Sequence, residues 1–182
     1  WTETREAIEA EVKAGEKDLS RLLNKAYARS LAARKRPPAP SIVFGNATEM
    51  PFLAANRIAR DWIADCVVER AAEADAIIEL GSGFGYNLFN VWLRGGPGVP
   101  YHGLEYTEAG RSACELIAQS ATDGPRLSIG AFDYHAPDFS AIAGRYANPL
   151  VYSSHSIEQI PELREIFFER LLAIAPKITT LH

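Results

Sequence analysis

The chain has 182 residues, of which 47% are hydrophobic and 23% charged, and a formal net charge of −4. That length supports one domain with a true core, and the acidic balance argues against nucleic acid as a partner, which calls for a basic face. No apolar run reaches the roughly 20 residues of a membrane-spanning helix, and the opening residues Trp1, Thr2, Glu3, Thr4 and Arg5 do not read as a secretory leader.

Residues 3–35 are rich in Ala, Leu, Glu, Lys and Arg and contain no proline. Ile8, Val12, Leu19, Leu22, Leu23, Tyr27 and Leu31 recur at helical spacing, which predicts a helical extension, broken near Gly15. Arg34-Lys35-Arg36, the one dense basic spot, reads as a solvated helix end. Pro37-Pro38-Ala39-Pro40 ends the helix and predicts a stiff extended linker. Residues 41–56 read as irregular, and 57–74 as an amphipathic helix carrying Ile58, Trp62, Ile63, Cys66 and Val67. The expected division is an extension with linker over 1–56 and a core over 57–182.

From residue 76 the pattern alternates. Strands are predicted at 76–80, 101–105, 126–130, 150–153 and 177–181. Helices are predicted at 87–94, 108–120 and 161–173, with a short helix or turn at 138–144. Strands alternating with helices give an α/β fold, Rossmann-like and doubly wound, with a mostly parallel sheet and helices on both faces. Cys66 and Cys114 both fall in helices and form no C-x-x-C pair. They read as structural thiols of a protein in the reducing cytoplasm.

The densest chemical signal is Ile77-Ile78-Glu79-Leu80-Gly81-Ser82-Gly83-Phe84-Gly85, a strand, a glycine turn and a helix start. Glycine lets the backbone approach a ligand closely, and the helix N-terminus offers free N–H groups to negative charge. The third glycine of the dinucleotide fingerprint G-x-G-x-x-G would fall on Tyr86, which speaks against a nicotinamide-dependent reductase. No Gly-Lys-Ser/Thr of a phosphate-binding P-loop occurs.

The acidic-x-G-x-G-x-G order resembles the first motif of the class I S-adenosylmethionine (SAM) dependent methyltransferases of the small-molecule type, and the resemblance covers roughly residues 55–182. It implies that Gly81, Ser82, Gly83 and Gly85 wrap the methionine part of SAM, that Glu79 helps anchor its ammonium, and that Asn87 and Ser154 also border it. Glu105 lies 24 residues after Gly81, close to the spacing of about 20 at which a carboxylate accepts from ribose hydroxyls. The resemblance gives it that role, sets Tyr106 against the adenine, and matches Phe132, Asp133 and Tyr134 to the motif that binds the adenine ring and its amino group. His155 is the candidate general base for the methyl acceptor; a cofactor contact or a turn cap are its alternatives. His155 and Glu158 have the spacing of two metal ligands, but no third ligand is evident and no metal is expected.

The expected activity is direct in-line transfer of the SAM methyl to an oxygen or nitrogen (or carbon) of a small-molecule acceptor, leaving S-adenosylhomocysteine. The alternative is a SAM-binding scaffold of the same fold that does not turn over. Members of the family usually carry seven strands, so the last ones are expected in sequence beyond His182.

Overall fold

In the computed structural model, which describes residues 1–32, 37–43 and 45–175, the chain runs through α1 (Thr2–Lys13), α2 (Leu19–Ala32), β1 (Ala39–Val43), β2 (Asn46–Met50), α3 (Phe52–Arg70), β3 (Ala76–Leu80), α4 (Tyr86–Leu93), β4 (Tyr101–Glu105), α5 (Glu108–Ser120), β5 (Leu127–Ala131), β6 (Pro149–Ser153) and α6 (Glu165–Ile174). β3 to β6 form one parallel sheet in the order β5-β4-β3-β6. The chain steps outward from β3 to β4 and β5, then returns to place β6 on the other side of β3. The order therefore reverses between β3 and β6, and in such sheets that crevice is where ligands sit.

All five residues of β3 are buried, as a central strand covered on both faces requires. Ile77 with Tyr101, Leu150 and Tyr152 packs under α3 and α4, against Val67, Leu88 and Val91. Ile78 and Leu80 with Leu104 and Val151 face the opposite way, against Phe167 and Leu171 of α6 and the anchors Phe139 and Ile142. The predicted helices on both faces of a parallel sheet are thus present. α1 and α2 are not a loose tail. Ile8, Leu19, Leu23 and Tyr27 share one apolar cluster with Phe84, Phe89, Cys114 and Ile117 of the sheet-covering layer.

Three local expectations are corrected. Residues 39–50, read as linker and irregular chain, form the β1–β2 hairpin, with Val43 paired to Asn46 and Gly45 at φ +80° in the turn. Every described β2 position but the last is exposed, so the ribbon has no apolar face to write a period of two into the sequence. Pro40 sits in this two-stranded ribbon, a place that tolerates its missing N–H. α3 begins at Phe52, directly after Pro51, rather than at 57. α6 begins at Glu165 rather than at Pro161, because Ile157–Gln159 forms a single 3-10 turn and Ile160 and Arg164 are extended. The short helix or turn expected at 138–144 is a turn, with Gly144 at φ +69°. The Arg34-Lys35-Arg36 cluster and the strand expected at 177–181 lie outside the described residues.

Candidate active site

The glycine loop after β3 needs its glycines. Gly81, Gly83 and Gly85 have φ of +73°, +56° and +81°, all left-handed. At Gly81 the space is closed as well: a Cβ there would lie 2.3 Å from Ser156 Cβ. Ser156 belongs to the loop after β6, and its Oγ donates to the Leu80 carbonyl at 2.8 Å and shares a 2.7 Å hydrogen bond with the Tyr134 hydroxyl. The two loops at the reversal point are therefore in direct contact, with Tyr134 from the β5 end bracing them.

Glu105, at the end of β4, is 6% exposed. Its Oε2 accepts from the Gly83 N–H at 2.9 Å, and its Oε1 accepts from the N–H and hydroxyl of Thr107 at 2.9 and 2.6 Å. Thr107 caps α5 by accepting from the Gly110 N–H. The carboxylate thus holds the glycine loop in place; Oε1 has both lone pairs engaged, and Oε2 retains one for a further donor.

Above these loops lies a cleft of two lobes. The larger, about 480 Å³, is bordered by Glu105, Tyr106, Phe132, Asp133, Tyr134 and Gln159, among others. Tyr106 is 71% exposed at its rim, whereas Phe132 is buried edge-on to Tyr134 with ring centroids 5.0 Å apart. Asp133 Oδ1 accepts from the His135 N–H at 2.8 Å. The smaller lobe, about 110 Å³, is bordered by residues 81–84 of the glycine loop, Asn87, Ser154 and Arg60, among others, whereas Gly85 borders neither lobe and faces Cys114 and Phe89. Gly81, His155 and Trp1 border both lobes.

Arg60 was not singled out from sequence. Its Nη1 donates to Asn87 Oδ1 at 2.9 Å and to Ser154 Oγ at 3.3 Å. Both partners are neutral, and among the described residues Arg60 makes no ion pair. α3 is pinned over the lobe by Asn90, whose Nδ2 donates to Asp61 and to the Arg60 carbonyl, and by Arg94 paired with Asp65. The 3.6-residue periodicity of α3 reported which face is apolar, but nothing in it told which arginine overlooks the crevice.

Glu79 borders neither lobe. It is fully buried beneath the glycine loop, and Asn87 Nδ2 donates to its Oε1 at 2.5 Å. Burial pushes its pKa up to about 8, outweighing the opposing pull of the Asn87 hydrogen bond and the Arg60 charge. Its Oε2 and the facing Tyr152 hydroxyl are both buried and lack a partner in hydrogen-bonding geometry, although Tyr152 lies near enough to pull the Glu79 pKa slightly down. Glu79 reaches the smaller lobe only through Asn87 and Arg60.

His155 has φ +54°, the only described non-glycine residue with positive φ. Its ring is exposed at the cleft and its Nδ1 lies 3.6 Å from Glu158 Oε1. Among the described residues no three His, Cys, Asp or Glu side chains gather into a cation site, and no helix is long and apolar enough to cross a membrane.

No protein-family model and no curated protein sequence matches this chain. Solved structures do. A Methanococcus maripaludis protein assigned as a SAM-dependent methyltransferase is 17% identical over 68% of this chain and 56% of its own, with a TM-score of 0.50. The glycopeptide N-methyltransferase MtfA, crystallised with sinefungin, is 17% identical over 75% of this chain and 55% of its own, at 0.50. The O-methyltransferase TomG from Streptomyces achromogenes, involved in tomaymycin synthesis and crystallised with SAM, is 14% identical over 87% of this chain and 64% of its own, at 0.50. The chain spans between about half and two thirds of the length of these three proteins. It has the α/β, Rossmann-like fold of the SAM-dependent methyltransferases.

Proposed function

We propose that this chain binds SAM across the two lobes and transfers its methyl group to an oxygen or nitrogen of a small-molecule acceptor. The observation that carries this reading is the single assembly made by the glycine loop, Glu105 and the β6 loop: Gly83 donates to Glu105, and Ser156 fills the space a side chain at Gly81 would need. Such a cradle admits a ligand to the backbone on one side and gives a carboxylate to a sugar diol on the other.

The residues fit the two ends of SAM differently. In the larger lobe Glu105 would accept from a ribose hydroxyl through the spare lone pair of its Oε2. Phe132, Tyr134 and exposed Tyr106 would border the adenine ring, with Asp133 available to its amino group. In the smaller lobe the Arg60 guanidinium, paired only with neutral groups, would take the amino-acid carboxylate. Gly81, Ser82, Gly83, Asn87 and Ser154 would enclose the same end, with Gly85 turning the chain into α4 and Glu79 acting from beneath. When bound, SAM supplies an electrophilic methyl on a positive sulfur, so the chain need only position a nucleophile and exclude water. His155, exposed where the lobes meet, is placed to accept the proton of an acceptor hydroxyl or amine.

We assign residues 57–175 to the cofactor-binding core and 1–56 to its cover, in a protein of the reducing cytoplasm, where free thiols such as Cys66 and Cys114 persist. Calorimetric titration with S-adenosylhomocysteine, with NAD as control, tests the reading. Micromolar binding of the first alone is expected; binding of neither, or of NAD, would overturn it. Incubation with SAM and candidate acceptors then separates an enzyme, which forms S-adenosylhomocysteine, from a scaffold, which does not.

A further inference from the structure

Three residues border both lobes of the cleft: Gly81, His155 and Trp1. Gly81 contributes only backbone, and His155 has Glu158 beside it. Trp1 contributes a broad aromatic face. Its ring lies against Gly83, where an added Cβ would stand 2.8 Å from the indole Cζ2, and it packs at 59° on Phe84 with centroids 5.4 Å apart. It is 45% exposed, so a good part of the indole surface is left uncovered. Its placement is firm: the Trp1 carbonyl accepts from the Arg5 N–H at 2.9 Å at the start of α1, and Ile8 anchors α1 in the same cluster as Cys114 and Ile117.

We infer that Trp1 is a ligand-selecting residue that presents its indole face to the positive sulfur of the cofactor, so that the cleft favours the charged donor over the neutral product. The inference rests on the cofactor reading above. In SAM the sulfur is bonded both to the amino-acid chain and to the ribose. With the amino-acid end in the Arg60 lobe and the nucleoside in the Glu105 lobe, the sulfur falls at the junction that Trp1 borders. An indole is the strongest of the side-chain π faces for a cation. Once the methyl has left, the sulfur is a neutral thioether and that attraction is gone, while contacts at both ends remain. The helical extension, by this account, carries a discriminating side chain to the reacting atom.

The test is calorimetric titration of the full chain and its Trp1→Phe and Trp1→Leu variants with two probes of nearly equal shape. Sinefungin carries a cationic amine in place of the methylated sulfur; S-adenosylhomocysteine is neutral there. Trp1→Leu is expected to weaken sinefungin roughly 3–20-fold and S-adenosylhomocysteine less than about twofold, with Trp1→Phe between. Labelling with 5-fluorotryptophan, whose ring nearly keeps its shape and loses π density, should show the same one-sided loss in the unaltered chain and none in Trp1→Leu, where only Trp62 and Trp92 carry the label. Equal losses for both probes would make Trp1 a steric wall and overturn the inference, as would no loss for either. Failure of the unaltered chain to bind either probe would instead remove the cofactor reading beneath it.

Discussion

The Glu105 carboxylate accepts the Gly83 N–H at 2.9 Å, and so the end of one strand sets the shape of the loop that follows its neighbour. The group proposed to accept from a sugar diol is thereby also the clamp of the glycine loop. Glu105→Ala should weaken S-adenosylhomocysteine by roughly 10–150-fold, the loss of a charge-assisted hydrogen bond, and should also lower the Tm. Glu105→Gln keeps one oxygen acceptor and should lose less on both counts. Calorimetry with a parallel thermal melt separates the two effects, and unchanged affinity in the Ala variant would remove Glu105 from the site.

Gly81 faces two penalties at once. Alanine at φ +73° costs about 1–2 kcal/mol in backbone strain, and its Cβ would collide with Ser156 at 2.3 Å. Gly81→Ala should therefore unfold at lower denaturant and lose cofactor-analogue binding. Adding Ser156→Gly removes the collision but not the strain, so the double variant should recover only part of the stability. Additive losses in the double variant, measured by urea titration, would show that the loops are not in contact.

The fold could be read from the sequence because its signal is physical and regular. The buried parallel strand Ala76–Leu80 is apolar but for Glu79, and β3, β4 and β6 are each followed by a helix of contrasting period. The strand-end residues Glu105, Asp133 and His155 could be located because the topology delivers strand ends to the crevice. What escaped were features with no periodic signature. The solvated β1–β2 ribbon buries too little to leave a pattern, and Arg60 looks like any polar residue on an amphipathic helix until α3 is seen crossing above the smaller lobe. Glu79 is the opposite case. Its motif position announced a ligand-facing carboxylate, whereas in the fold it is sealed under Asn87.

That sealing has a pH consequence. Glu79 keeps its proton to about 8 in the folded chain, against an ordinary value of 4.5. Between those values the unfolded chain binds fewer protons than the folded one, so stability falls as pH rises through this window. Glu79→Gln leaves an oxygen for Asn87 and removes the ionisation. Its Tm should match that of the unaltered chain near pH 5 and exceed it near pH 8.5, at about 2–4 °C per kcal/mol relieved for a chain of this size. Melts across that range decide it; a Gln variant less stable than the parent at pH 8.5 would mean that the buried carboxylate is held ionised.

Arg60 serves one end of the cleft. Replacing it with methionine keeps much of the stem and removes the charge. Arg60→Met should weaken S-adenosylhomocysteine about tenfold or more, as expected for a hydrogen-bonded ion pair, while leaving 5′-methylthioadenosine, which lacks the amino-acid group, within about twofold. A parallel loss for both ligands would place Arg60 in a structural role through Asn87 and Ser154 instead.

His155 can be tested without disturbing its backbone. At φ +54° it occupies a conformation that asparagine also visits readily. His155→Asn should therefore melt like the parent and bind S-adenosylhomocysteine within about threefold, yet lose the proton acceptor. General-base assistance contributes typically 10²–10⁴ in rate, and once an acceptor is found kcat should fall by that order with KM for SAM little changed. Turnover that is indifferent to His155→Asn would assign proton removal to water or to the acceptor itself.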